Sequence, residues 1–435
     1  MKYAFTHGNI LTGNLDENGH MTVLANHTLI TGDDRILSVQ PESSEIPTDC
    51  RIIDLNGKYL LPGLINLHAH LASSGKPPKE NAKPVDYKKL FETLSKYKFV
   101  LKILTKMQAN LARTQLYSGV TTLRTVGGIM DLDSQIRDKI RAGKLEGPDL
   151  FVANTAVSVP GGHFAGSLAT EAKSPDEAAR DVDKIAGTNP NLIKLMITGG
   201  VMDASAEGEP GVLRMQPDII NAACKRAHEL GYPVAAHVES PEGVREALKN
   251  GVDTIEHGAR PDDEMIRLFR EKNAALICTL SPALPYAIFD LSVSHCGEIG
   301  KKNGNIVFQG IIDCARACLE NHIPVGLGTD SGCPFITHYD MWRELVYFTR
   351  YCKVSPDFAI YTATCKNAEI LGISDKTGTI ENGKTADFIV ADENPLQNLK
   401  TLRNLRYVVA KGKVIEKPRV KKNAVCEREL DKYLP

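Results

Sequence analysis

The sequence holds no run of the roughly 18 apolar residues needed to cross a bilayer. Its N-terminus, MKYAFTHGNILTG, lacks the charged segment and long apolar stretch of a secretory leader. These absences point to a cytoplasmic chain with no membrane partner. Neither charge is in excess: 52 Lys+Arg against 53 Asp+Glu leave a formal net charge of -1, so no long-range field gathers nucleic acid or an anionic surface. The ten cysteines include no CxxC pair, and Cys314 and Cys318 in DCARACLE have the spacing of one helix face. Reduced, mostly buried thiols are expected. What is present is 435 residues, 42% of them hydrophobic, enough for one large unit and a smaller one. Function must lie in a local site, with a homo-oligomer left open.

Residues 1–60 alternate apolar and polar positions in HGNILTG, TLITGDDRILSVQ and RIIDLNGKYLLPG, with Gly, Asn and Asp between them. Residues 371–435 show the same pattern in KTGTIENGKTADFIVADENPL and LRYVVAKGKVIE. The two ends are expected to pair into a small β-sandwich. Between them, residues 61–370 alternate apolar strands with helical segments, the pattern of a parallel α/β core. Eight strands are expected, starting near residues 64, 120, 150, 192, 233, 253, 275 and 324. Eight such units predict a TIM (β/α)8 barrel, whose chemistry gathers at the C-terminal ends of its strands. In SPEGVREALKNG, Ser240 is placed as a helix cap, with Pro241 at the first position and Gly251 past the end. Ile219, Ile220, Ala223, Ala227 and Leu230 form one stripe of another helix.

The polar residues at those strand ends are His68 and His70 from the first, Lys194 from the fourth, His237 from the fifth, His257 from the sixth and Asp330 from the eighth. Residues two apart in a strand share a face, so His68 and His70 can approach one ion while Ala69 turns away. Each residue alone has a structural explanation: a buried hydrogen-bonded imidazole, a snorkelling lysine, a helix-capping aspartate. Their joint placement is hard to explain by packing and points to metal chemistry. Lys194 lies among Leu192, Ile193, Leu195 and Met196, where desolvation favours the neutral amine. Such an amine can add carbon dioxide, and the two oxygens of the resulting carbamate can bridge two ions about 3.5 to 4 Å apart.

The motifs PGLINLHAH, GVTTLRTVGG, IKLMITGG, AAHVES, GVDTIEHG, GLGTDSG, ATCKNAEILGI and GTIENGKTADFIV resemble, in combination and order, the amidohydrolase superfamily. Within it the chain is similar to the imidazolonepropionase-related and Xaa-Pro dipeptidase-like branch. The resemblance implies that His68, His70 and Asp330 hold one divalent ion, most simply Zn2+, that His237 and His257 hold a second, and that a carbamylated Lys194 bridges them. It implies a binuclear hydrolase that cleaves a C–N bond in a small amide, cyclic amide or dipeptide. A metal-bridging hydroxide would be the nucleophile, and Asp330 would take its proton and pass it to the leaving nitrogen. His163 in VSVPGGHFAG resembles an element that contacts the substrate carbonyl or carboxylate.

Two departures stand out. Relatives of the dipeptidase kind read RD where this chain has Arg124-Thr125, so a carboxylate behind the metal ligands is missing or comes from elsewhere. After His237 the chain continues VESPEG, without the aromatic expected of a proline dipeptidase. A mononuclear imidazolonepropionase- or deaminase-like hydrolase, in which Lys194 would normally be absent, and an inactive scaffold of this fold are the alternatives. Long segments after the first, fourth and seventh strands, SSGKPPKENAKPVDY, VMDASAEGEPGVLRM and SPALPYAIFDLSVSHCGEIGKKNG, are expected to act as lids that set specificity. His338 is a further candidate to face the pocket, while Lys76, Lys79 and Arg214 are assigned no role.

Overall fold

The computed structural model describes residues 1–78, 88, 89, 93 and 96–434. Five strands come first: β1 (Lys2–Leu15), β2 (Met21–Gly32), β3 (Arg35–Pro41), β4 (Cys50–Asp54) and β5 (Tyr59–Pro62). Eight parallel strands follow: β6 (Leu64–Ala69), β7 (Val120–Thr125), β8 (Asp149–Val152), β9 (Ile193–Met196), β10 (Val234–Val238), β11 (Thr254–His257), β12 (Ala275–Cys278) and β13 (Val325–Leu327). The last three are β14 (Phe388–Ala391), β15 (Tyr407–Ala410) and β16 (Lys413–Glu416).

Strands from both ends of the chain share one hydrogen-bonded sheet, in the order β16-β15-β14-β5-β1-β2-β3, with β4 also on β1. A sandwich was expected; the observed ladder is one connected sheet whose pairing is irregular at β1. There His7 takes a φ of 53° and the pairing with β2 shifts register between Phe5 and Gly8. Phe5, Ile10, Leu29, Leu60, Phe388 and Val409 of this sheet bury one another in a separate apolar cluster. At Gly412 a Cβ would lie 1.7 Å from the Asp33 carbonyl oxygen, so only glycine lets the β15–β16 turn rest on the β2–β3 turn.

Each central strand begins within one residue of its expected position. Every residue of β6, β7, β9, β10, β12 and β13 is buried, as expected of a parallel layer covered on both faces. The pairing is not continuous: β6-β7-β8 form one sheet and β9 to β13 another. Backbone hydrogen bonds just past the strands link their edges: Val157 N–H donates to Lys194 O at 2.8 Å and Met196 N–H to Val157 O at 2.9 Å on one side, and His70 N–H donates to Ser331 O and Asp330 N–H to His68 O, both at 2.8 Å, on the other. The interruptions have a local cause. Asn154 and Asp330 adopt φ values of 59° and 54° just past β8 and β13, and residues in that conformation cannot continue a strand.

The helix Pro241–Lys249 is capped by Ser240, whose Oγ accepts from Gly243 N–H at 3.3 Å. In the helix Pro217–Glu229, Ile219, Ile220, Ala223 and Ala227 are buried as expected, whereas Leu230 lies past its end and is exposed. The segment after β12 was expected to be a loop but folds into helices Leu280–Ile288, Leu291–Ser294 and Gly297–Glu320. A distant residue makes the first of these possible: the buried Glu344 carboxylate accepts from the Leu280 N–H at 2.6 Å and the Ser281 N–H at 3.0 Å, filling the exposed helix start. Of the segment after β6, residues 79–87, including Lys79, lie outside the described residues. All ten cysteines are free. Among the described residues no helix is long and apolar enough to cross a membrane.

Candidate metal centre

The ends of β6, β9, β10, β11 and β13 bring together all six residues singled out in the sequence as ligands. His68 and His70 both approach Asp330: their Nε2 atoms lie 3.5 Å and 3.2 Å from its Oδ1. The parallel register places Lys194 beside Ala235, and His237 beside Glu256. Strand alternation alone would send His257 to the face opposite Glu256. A φ of 70° turns it back, so that its ring centre is 4.8 Å from that of His68 and 4.7 Å from that of His237. Two residues of this centre, His257 and Asp330, thus sit in the left-handed region that non-glycine residues seldom occupy. Such backbone strain concentrates at functional sites because the surrounding structure must hold it.

Each imidazole is anchored by one nitrogen and offers the other. His68 Nδ1 is 2.7 Å from Glu256 Oε2, and His70 Nδ1 is 2.9 Å from the Gly127 carbonyl oxygen. Both partners can only accept, so both Nδ1 atoms carry the proton and both Nε2 atoms keep a lone pair. His237 is held the other way round, with Nε2 3.3 Å from the Gly199 carbonyl oxygen, which leaves Nδ1 free. His257 Nδ1 meets the Thr279 hydroxyl at 2.7 Å. This is how metal-binding histidines are oriented, by an outer partner that fixes the tautomer. Burial keeps the rings neutral: it depresses His68 to about 4 and takes His237 and His257 well below the ordinary value. A neutral imidazole is the form that binds a cation.

The carboxylate missing at Thr125 is supplied by Glu256. It is fully buried, pairs with Arg124 Nη2 at 2.8 Å, and accepts from the Thr254 hydroxyl at 2.7 Å. Burial would raise its pKa, but Arg124 and His68 outweigh that and hold the carboxyl below its usual range. Asp330 behaves alike: burial opposes ionisation, while His68, His70 and His257 more than compensate and keep it an anion.

Lys194 is 1% exposed, and its Nζ has no hydrogen-bond partner. Burial lowers its pKa to about 8, so the uncharged amine, negligible for an ordinary lysine, rises to roughly a tenth at pH 7. An orphaned, desolvated amine among neutral imidazoles is out of place unless something joins it.

Ligand-type atoms fall into two groups, each within 4.8 Å: His68, His70 and Asp330, and His237, Glu239 and His257. Glu239 was not singled out in the sequence, although HVE repeats the alternate spacing of HAH. Its Oε2 is buried and unpartnered, and burial beside Asp330 and Asp203 pushes the carboxyl up to about 8. Four imidazoles, two carboxyl groups and an amine that burial makes easier to deprotonate form a donor set that fits two borderline divalent cations.

His163 stacks on His237, with ring centres 4.3 Å apart and planes at 10°, and its Nδ1 donates to Asp203 Oδ2 at 2.5 Å. No sequence signal marked Asp203, which lies in the segment after β9. Gly161, with a φ of 71°, supports the tight turn expected before His163. His338 does not face the centre. Its Nε2 donates to the Ser73 carbonyl at 2.7 Å and its Nδ1 lies 3.3 Å from Gln115 Nε2, tying the segment after β6 to the helix Lys98–Tyr117. A cavity of about 540 Å³ opens at the other end of the strands, lined by Arg124, Asn191, Asp253 and Lys366, and the ligand groups do not line it.

A family model, that of the amidohydrolase family, matches residues 59–415. The chain is 24% identical to ochratoxinase of Aspergillus niger over 345 residues, covering 71% of this chain and 69% of that protein. It is 23% identical to imidazolonepropionase of Symbiobacterium thermophilum over 401 residues, covering 85% and 84%. Among solved structures, a protein provisionally described as a prolidase from Bifidobacterium longum superposes with a TM-score of 0.86 at 36% identity, covering 99% of this chain and 98% of that one. A Xaa-Pro dipeptidase with methionine bound in its active site has a TM-score of 0.82 at 26% identity, covering 96% and 100%.

Proposed function

The chain belongs to the amidohydrolase family, and from that premise we propose that it is a binuclear metal-dependent hydrolase of the C–N bond in a small amide, cyclic amide or dipeptide. The observation that carries this reading is the pair of ligand groups at adjoining strand ends with the unpartnered Lys194 amine among them. We read the two parallel sheets, linked at Val157 and Ser331, as a (β/α)8 barrel with the centre at its C-terminal face.

His68, His70 and Asp330 would hold one ion, and His237 and His257 a second. Lys194 would join them after its neutral amine adds carbon dioxide, forming a carbamate and releasing one proton. The ions would supply an activated water and polarise the scissile carbonyl. Every other task falls to the chain. Asp330, whose carboxyl is held well below its ordinary range, takes the proton of the attacking water and passes it to the leaving nitrogen. Arg124 and Glu256 hold His68 in one tautomer and orientation. His163, fixed by Asp203 and by stacking on His237, is placed to meet the substrate carbonyl or carboxylate with its free Nε2.

Relatives described as prolidase, Xaa-Pro dipeptidase and ochratoxinase favour an amide or dipeptide substrate. The test is a screen of dipeptides, N-acyl amino acids and lactams with enzyme loaded with Zn2+ in bicarbonate buffer, reading amine release. Hydrolysis of at least one class, lost on chelation and regained on adding Zn2+, is expected. Turnover that survives full metal removal would overturn the proposal.

A further inference from the structure

We propose that Glu239 is a protein ligand of the second ion, so that each ion has two histidines and a carboxylate of its own. The inference rests on the reading above that His237 and His257 hold an ion, and it changes what holds that ion in place.

Three observations converge. The ligand-type atoms of His237, Glu239 and His257 lie within 4.8 Å of one another, as close as those of His68, His70 and Asp330. The Glu239 Oε2 is buried without a partner. Its backbone is pinned beside the centre, with the N–H donating to Thr198 Oγ1 at 3.1 Å. A buried carboxyl oxygen without a partner is costly, and a cation bound there would satisfy it. No lysine or arginine forms an ion pair with it among the described residues, and Arg124 is already paired with Glu256. Two histidines and one glutamate with a position left open form a recognised donor set for a catalytic divalent ion. The chain lacks an aromatic after His237, and the residue that follows Val238 is this carboxylate.

The consequence concerns Lys194. If the second ion has its own carboxylate, the carbamate is not its sole anionic support. Lys194→Ala should then still bind two ions, while Glu239→Gln should lose the second.

The experiment titrates metal-free wild type, Glu239→Gln, Glu239→Asp and Lys194→Ala with Zn2+ against a competing chelator, and locates the bound ions by anomalous diffraction. Circular dichroism of the metal-free proteins checks the fold. Wild type is expected to bind two ions. Glu239→Gln should keep the ion at His68, His70 and Asp330 and bind the one at His237 and His257 at least about 10- to 100-fold more weakly, the loss that outer partners alone can cause. Glu239→Asp should fall between, and carries the test if the Gln variant does not fold. Unchanged affinity at both positions in the Glu239 variants, with two ions in wild type, would overturn the inference alone. Wild type with no ion at His237 and His257 would overturn the reading beneath it as well.

Discussion

Replacing Glu256 with glutamine would test the support behind His68 separately from the chemistry. The carboxylate is 0% exposed and serves three donors: His68 Nδ1, Arg124 Nη2 and the Thr254 hydroxyl. Glutamine keeps the volume but removes the charge, leaving the Arg124 guanidinium buried and without its counter-ion. Breaking a buried pair in this way costs about 3–5 kcal/mol. The loss should appear in urea denaturation of the metal-free protein as a lower midpoint with an unchanged slope. His68 also loses its charged anchor, and metal affinity should fall about 10- to 100-fold, or about 1.4–2.7 kcal/mol. A second variant separates the two effects. Arg124→Met combined with Glu256→Gln removes both charges and should regain part of the stability but not the metal affinity. A Glu256→Gln protein within about 1 kcal/mol of wild type, with unaltered Zn2+ binding, would refute the role given to this residue.

Lys194→Ala should lose most activity, and formate or propionate should restore part of it by supplying carboxylate oxygens where the carbamate stood; mass spectrometry of the active wild type should show the added carboxyl group, and a bare lysine in fully loaded, active enzyme would exclude the bridge. His338 is depressed by burial from 6.5 to about 4, so its stabilising effect is complete above pH 6.5 and fades as pH falls toward 4. In urea denaturation of metal-free protein, the advantage of wild type over His338→Gln should shrink by up to about 3 kcal/mol across that window. Asp133 has the opposite sign: burial raises it from 3.8 to about 6, and neither oxygen has a hydrogen-bond partner. Asp133→Asn should therefore gain stability relative to wild type, by up to about 3 kcal/mol, as pH rises from 4 to 7.

The strand positions were legible because each central strand is a short apolar run bounded by turn residues, and HAH was legible because the period of two turns both rings toward Asp330. What the sequence hid depends on backbone conformation or distant partners. Glu256 and His257 are neighbours, and only the positive φ at His257 brings its ring to His68 and His237 while Glu256 anchors His68. The same left-handed conformation at Asn154 divides the parallel strands into two sheets where one ring of strands was expected. The helix at Leu280 reads as a loop because Pro282 and Pro285 interrupt it, and its start is filled by Glu344, 64 residues away. Glu239 could have been found by applying to HVE the spacing argument already applied to HAH.

The central claim is that two ions sit at the strand ends, and an anomalous difference map at the zinc edge, from crystals of the Zn2+-loaded protein, addresses it most directly. The account predicts two peaks, one within about 2.0–2.2 Å of His68, His70 and Asp330 and one at that distance from His237 and His257. A single peak, or peaks bound by other residues, would contradict it.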